Sequence, residues 1–506
     1  METILLLPLG IPILLPIIFG ILCLVISKKL KDIQELLALI GSFITFISTV
    51  LLFFQKPLEW IKNGSVVLRL DNLSGFMLLA IGFFGFLIVL YSLKFMKKSL
   101  NSKLSTLNSY YAYILWTLGA ACGAVLANNL ILLLVFWGFL GLTLYLLIGV
   151  GGPDANQAAK KTFIIVGGSD VLMLLGIAII WFLTGTFQMD KIQLSTLNSQ
   201  LSTVAFLCLA IAAFAKAGAM PFHTWIPDCA EKAPIPVTAF LPASLDKLLG
   251  IYLLARICLN LFTLHSSLLT LLMLVGAVTI IAAVFMAMVQ HDLKKLLSYH
   301  AVSQVGYMVL GIGTGNPVGI AGGLFHMLNN TIYKSCLFLT GGAVEHKTGT
   351  TDLDKLGGLA KLMPIAFITC LIAALSISGV PPFNGFFSKW MIYQGLIQQM
   401  ADGRWQIVVI FCLVAAMFGS ALTLASFMKL IHAIFLGQRN NAITQKRYNE
   451  VSWTMWLPTA ILAGLCIIFG IFAYQIPLKH FIFPSLPSSI FHLPSSLSGV
   501  WQPGLA

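Results

Sequence analysis

Charge is what this chain has least of. Only 9% of its 506 residues are charged, against 58% hydrophobic, and the mean hydropathy is +0.95. No soluble domain of this length approaches those values, so the chain reads as one polytopic membrane bundle without a sizeable extramembrane domain. Acid is scarcer than base, 17 residues against 30, for a formal net charge of +13. That surplus does not point to nucleic acid, because the basic residues are scattered through short loops rather than gathered on one face. The nine cysteines stand singly with no CxxC pair, which argues against an iron–sulfur, zinc or disulfide framework and leaves them as small packing residues. There is no nucleophile–base pattern, no Walker-type phosphate loop and no dinucleotide fingerprint. The chain is therefore expected to carry no cofactor and no bond-making centre of its own. A cleavable leader is not expected either: the first apolar run, Thr3 to Ile26, is long enough to span and is followed by Lys28, Lys29 and Lys31.

What the chain has in abundance is apolar length. A span takes about 20 apolar residues. That rule predicts fourteen helices, near 3–27, 34–54, 72–95, 110–127, 129–149, 158–183, 202–219, 234–261, 267–290, 293–313, 317–343, 361–399, 405–436 and 453–475. The twelfth is over-long and must break around Pro381-Pro382. Between the second and third, Asn63-Gly64 sits between alternating apolar residues from Leu58 to Leu70, the pattern of a β-hairpin. Fourteen spans place eighteen loop lysines and arginines, from Lys28 to Arg447, on one side, and six (Lys56, Lys62, Arg69, Lys191, Arg404 and Lys479) on the other. The dense side is expected to be cytoplasmic, with both termini on the outer side. One missed helix would scramble that asymmetry.

A short list of ionisable residues remains inside the spans. A charge at bilayer depth costs roughly 2.5–3.5 kcal/mol on insertion scales, so each is a functional candidate. Lys216 ends an apolar run that breaks at once into Pro221-Phe222-His223, and Lys389 follows the broken stretch from Ser378 through Pro381-Pro382. Helix breaks expose backbone groups that only protein or water can satisfy, which argues for a hydrated cavity beside each lysine. His326, Asn330 and Lys334 lie four residues apart on one helical face, a polar stripe suited to relaying protons through bound water, or to packing. Asp246 and Lys247 are adjacent and point about 100° apart, so each faces a different neighbour. Asp246 is the natural counter-ion of Lys216 if their helices touch. His300 reads either as a proton entry or as an interfacial histidine. Asp170 reads as a lysine partner or as the cap of an internal turn. Arg256 and Lys429 fall near span ends, where they can snorkel. A line of buried lysines, each tuned by desolvation and nearby charge, can pass a charge disturbance sideways while its sites load and release protons.

These stretches resemble the antiporter-like membrane subunits shared by respiratory complex I, membrane-bound energy-converting hydrogenases and Mrp-type sodium/proton antiporters. The matching runs are Ala127–Trp137, Ala215–Asp228, Asp292–Tyr307, His326–Lys334 and Ser378–Lys389, in order along the chain. The resemblance implies a fourteen-helix core with two inverted five-helix repeats, each containing a broken helix. The parts would be 1–109 (three helices and the hairpin), 110–262 (first repeat), 263–437 (second repeat) and 438–506 (last helix and tail). Lys216 and Lys389 fall at the family's two central lysines, Lys334 at its connecting lysine, and His326 at a histidine of the same helix. One departure stands out. Where the family places a glutamate after Val135-Phe136-Trp137, this chain has Gly138, and Asp170 or Asp246 is the nearest substitute.

The resemblance implies a proton-translocating subunit of a redox-driven complex in a prokaryotic cell membrane, partnered by other membrane subunits and a peripheral redox arm. A sodium/proton antiporter module of the Mrp type shares the architecture. A scaffold with a dead N-terminal channel is a third reading, motivated by Gly138. A cytochrome using His300 and His326 as axial ligands is a fourth, from another class.

Overall fold

The computed structural model describes residues 2–26, 30–62, 64–99, 104–196, 199–401, 406–438 and 449–487. It is a helical bundle with a small hairpin. The helices are α1 (Glu2–Val25), α2 (Lys31–Gln55), α3 (Asn72–Ser99), α4 (Leu104–Leu126), α5 (Leu130–Gly149) and α6 (Asn156–Thr184). The next are α7 (Gln200–Ala217), α8 (Trp225–Lys232), α9 (Ile235–Phe240), α10 (Asp246–Arg256), α11 (Ser266–Met288) and α12 (Leu293–Gly313). The last are α13 (Pro317–Thr348), α14 (Pro364–Ser378), α15 (Asn384–Ala401), α16 (Gln406–Ile431) and α17 (Trp453–Ile471). Each of the fourteen segments expected to span is helical. Eleven are long and apolar enough to cross a membrane on those grounds alone. The others, α12, α13 and the α14–α15 pair, are too polar or too short for that test, and they carry the buried Lys294, His300, His326, Lys334 and Lys389.

Large apolar side chains face outward along the bundle, for example Val25, Phe54, Ile164 and Ile407, while Ser298, His300, Ser303 and Gln304 of α12 and His326, Asn329, Asn330 and Lys334 of α13 are fully buried. This inversion is what a lipid solvent requires, since it offers polar groups no hydrogen bonds. The ends of the bundle are polar. At one end the hairpin, β1 (Leu58–Lys62) with β2 (Ser65–Leu70), pairs antiparallel around Gly64, whose φ is +73°; Asn63 lies outside the described residues. The hairpin is bridged to the α4–α5 loop at Leu68–Ala127, and that loop is bridged in turn to the α6–α7 connection at Asn129–Gln188. A two-residue parallel pair, β3 (Leu194–Ser195) and β4 (Phe262–Thr263), extends this cap and is not legible in the sequence. The opposite end is tied by ion pairs Lys97–Glu35, Lys161–Asp228, Lys294–Glu345 and Lys295–Glu231. The hairpin and the loops after α4, α6 and α10 thus gather at one end, and the loops bearing these ion pairs at the other. Of the loop charges in that reading, Lys28, Lys29, Lys103, Arg404, Arg439, Lys446 and Arg447 lie outside the described residues.

Two helices break as expected, and by one device. The α7 helix ends at Gly218 (φ +80°) and α14 at Gly379 (φ +79°), where a left-handed residue closes the last turn. The chain then turns through a proline pair or Met220-Pro221 before α8 and α15 begin. The eighth span departs from expectation. It is not one helix over 234–261: a π-helical turn over Leu241–Leu245, containing Pro242, separates α9 from α10, and a second closes α10 over Ile257–Leu261. Proline has no N–H to give the ladder and crowds the preceding turn, which widens the helix locally. Asp246 is the first residue after that turn. Elsewhere α11 and α12 cross backbone to backbone: a Cβ on Gly276 would lie 2.7 Å from the Gly306 carbonyl oxygen, and one on Gly306 would lie 2.6 Å from that of Gly276.

Candidate functional site: a buried polar series

Lys216 and Asp246 meet. The Lys216 Nζ lies 3.7 Å from Asp246 Oδ1, with side chains 0% and 1% exposed. The π turn at Pro242 aims Asp246 at α7. The pairing is loose: Lys216 Nζ and Asp246 Oδ2 make no hydrogen bond among the described residues, and the ammonium also stands 5.5 Å over the Trp137 ring. Asp170 of α6 makes no ion pair with Lys216 within 4 Å among the described residues. It is half-buried, lies within the field of Lys216 and close to Trp137, and leaves Oδ1 without a hydrogen-bond partner among the described residues. Gly138 itself is exposed, and a Cβ there would meet nothing within 4 Å. The partner of Lys216 therefore comes from α10, not from the fifth span.

Lys247 turns the other way, as adjacent helical residues must. It donates to the Ala217 carbonyl, one of the orphan acceptors at the broken end of α7. The second break is engaged likewise. Lys389 Nζ donates to the Ile377 carbonyl at 2.8 Å and to Ser420 Oγ at 2.9 Å, and Ser420 in turn donates to the Ser378 carbonyl. In both halves a buried lysine closes the C-terminal end of a broken helix. In the first half that lysine is Lys247 rather than Lys216.

Between the breaks, Lys334 donates to the Leu297 carbonyl at 2.8 Å and feels the charge of Lys247. Its ammonium stands 5.4 Å over the Phe427 ring, which packs on His300 at 4.8 Å. His300 is fully buried and hydrogen-bonds Ser426 Oγ at 2.7 Å, so it is not an interfacial histidine. His326 has both ring nitrogens engaged, Nδ1 with Ser388 Oγ (2.9 Å) and Nε2 with Gln304 Oε1 (3.1 Å). Neither nitrogen is left for a haem iron. Asn330, between His326 and Lys334, is fully buried with both amide atoms unpartnered, as a residue holding internal water would be. Tyr307 bridges to the second break: its ring lies 5.3 Å from His326 and 4.9 Å from the Lys389 ammonium, and its hydroxyl donates to the Ala416 carbonyl.

Several members of this series were not singled out from sequence. His300, Gln304 and Tyr307 recur at i, i+4 and i+7 on α12, a one-face polar stripe as regular as that of α13, and that spacing was the available signal. Ser388, Ser420 and Ser426 carry no such mark. Arg256 corrects another expectation. It does not snorkel: its guanidinium grips Asp71 with two contacts, 2.6 and 2.7 Å, and its Nε donates to the Tyr252 hydroxyl. Lys429 stays near the surface, within reach of the Met288 and Gln290 carbonyls.

Comparison with known proteins agrees with this geometry. Residues 127–435 match the model described as NADH:quinone oxidoreductase/Mrp antiporter, transmembrane, and residues 60–103 match the N-terminus of chain 5 of complex I. A Na(+)/H(+) antiporter subunit A1 of Staphylococcus haemolyticus is 33% identical over 507 residues, covering 92% of this chain and 61% of the relative's own length. The subunit A1 of Staphylococcus aureus is 32% identical with the same coverage. Among solved structures, a chain of the archaeal membrane-bound sulfane sulfur reductase has TM-score 0.78 at 26% identity, over 92% of this chain and 76% of that one. A chain of the Mrp complex from Dietzia sp. DQ12-45-1b has TM-score 0.82 at 20% identity, over 97% of this chain and 98% of that one, a likeness of fold. The motifs, the two broken helices and the matched length agree: the chain belongs to the NADH:quinone oxidoreductase/Mrp antiporter family of multi-pass membrane subunits.

Proposed function

We propose that the chain is a proton-translocating, antiporter-like subunit of a redox-driven membrane complex. One observation carries the reading: a loosely paired Lys216–Asp246 centre, Lys247, Lys334, His300, His326 and a break-bound Lys389 are all buried, and each lies in contact with, or in the field of, another of the series or a residue that touches one, within an apolar shell. Asp246 lies in the field of both Lys216 and Lys247. A carboxylate that swings between two ammonium groups changes how firmly each holds its proton. In the second half Lys389 has hydroxyl and carbonyl partners but no acidic one among the described residues, so its charge answers to hydration and to its neighbours. Loading at one break and release at the other then couple through Lys334.

On this reading Asp170 is a peripheral tuning charge, and other membrane subunits with a peripheral redox arm are the partners. The spans number fourteen, and the parts are 1–109, 110–262, 263–437 and 438–506, the middle two being inverted repeats. Both termini lie on the outer side. A sodium/proton antiporter module is the second reading, favoured by relatives whose names state that exchange.

Proton flux in proteoliposomes, for the complex that contains this chain, tests the proposal. Lys216→Ala and Lys389→Ala should each abolish coupled transport. Loss with Lys389→Ala alone would make the N-terminal channel inactive, and harmless substitution at both would leave a scaffold. Flux that requires a sodium gradient would select the antiporter module.

A further inference from the structure

Away from the polar series the bundle holds a cavity of about 190 Å³ with a wholly apolar lining. Its floor is Phe76, Ala80 and Phe84 of α3, Leu328 and Ile332 of α13, and Phe469 of α17. Its rim is Phe46, Phe83 and Phe481, all half-buried, so the slot opens on the outward face of the bundle beside α2. From Phe76 to Phe84 the floor follows α3 for about 12 Å, at 1.5 Å per residue. A cavity this apolar stays dry and takes up hydrocarbon rather than water or ions.

The mouth differs from the floor. Phe481 packs against Phe76 at 5.8 Å and Phe53 at 5.5 Å, and the Lys56 ammonium sits 3.9 Å over the Phe53 ring. Lys479 and His480, exposed on the same segment as Phe481, add basic groups at this end of the bundle. A narrow hydrocarbon slot beneath a cationic lip has the shape and charge of one amphiphile. We propose that this slot is a binding site for an anionic phospholipid, with one acyl chain along α3 and the phosphate at Lys56. The chain would lie against Leu328 and Ile332, whose mean direction is about 180° around α13 from that of His326, Asn330 and Lys334 at 100° per residue. The lipid would then back the helix whose opposite face carries the polar series.

The test uses the complex that contains the full chain, reconstituted with phosphatidylglycerol bearing a photoactivatable group in its acyl chain, and maps labelled residues by mass spectrometry. Label is expected on Phe76, Phe84 and Phe469. It should be displaced by excess unlabelled phosphatidylglycerol and less so by phosphatidylcholine. Ala80→Phe, which fills the slot, should remove it, and Lys56→Gln should erase the preference for the anionic lipid. Label confined to outward residues such as Phe54, equal displacement by both lipids, or label surviving in a folded Ala80→Phe protein would each overturn the proposal. The competition arm needs no variant, so a misfolded substitution leaves it decisive. A photo-crosslinking side chain at Phe83 that captures residues 488–506 or another protein in place of lipid would also overturn it.

Discussion

Replacing Asp246 with Asn should be among the most damaging single changes in this chain, and more damaging than replacing Lys216 with Met. At 3.7 Å and an effective dielectric constant of about 20, opposite unit charges attract by about 4.5 kcal/mol. Desolvating both groups offsets most of that gain, so the pair adds little net stability while it is intact. Asp246→Asn removes the attraction but leaves the ammonium buried, a loss of about 3–5 kcal/mol. Lys216→Met leaves a carboxylate that still lies in the field of Lys247, so its loss should be smaller. The double variant removes both charges and should recover most of the stability. Thermal unfolding of all four proteins in nanodiscs, read as a double-mutant cycle, measures the coupling, expected at about 2–4 kcal/mol. Additive effects within about 0.5 kcal/mol would mean that the two groups do not act as partners, and the argument for a paired centre in the N-terminal half would fail. Equal damage from the two single variants would refute the role given to Lys247.

Other expectations are as direct. Burial raises the Asp71 carboxyl, but the Arg256 charge and hydrogen bonds outweigh it and hold the group well below the usual carboxylate range. Its contribution is therefore full above the ordinary carboxylate range near pH 4 and is lost only as pH falls through the depressed value. Stability of the wild type should show no Asp71-linked change from about pH 8 to 5, while Asp71→Asn lowers the melting temperature throughout. Tyr307→Phe deletes the hydroxyl that donates to Ala416 but keeps the ring over Lys389, so folding should survive and proton flux fall; unchanged flux would remove Tyr307 from the path. Gly306→Ala drives a methyl into the Gly276 carbonyl and should destabilise by about 1–3 kcal/mol or more in a thermal melt. Gly138→Ala meets open space in a helix interior and should be neutral or stabilising by up to about 1 kcal/mol in the same assay.

The helical fold was legible because lipid reverses the usual economy of sequence: apolar length marks spans, and each charge that interrupts one stands out. The breaks at Gly218 and Gly379 were marked by glycine and proline together, and the hairpin by Asn63-Gly64. The break at Pro242 is not legible, because one proline within a long apolar run fits a kinked helix as well as a widened one. The pairing of Asp246 with Lys216 was available only as a condition on which helices touch. The serines that hold Lys389, His326 and His300 were invisible, since a serine that bonds its own helix and one that completes a relay look alike in sequence. Lys247 is visible in the sequence, but what it does there is not. Its role depends on an unsatisfied carbonyl on another helix, and backbone geometry of that kind leaves no trace in residue type.

The crossing of α11 and α12 limits how this protein can work. With Gly276 and Gly306 in close backbone approach, α12 cannot slide or tilt against α11 without collision. His300, Gln304 and Tyr307 are therefore mounted on a fixed rail. On the function proposed above, protons pass along them by hopping through reoriented side chains and transient water, as current crosses a semiconductor, without α12 shifting against α11. Such a conductor is throttled by drying, so osmotic withdrawal of water should slow it more than a stiffer bilayer does.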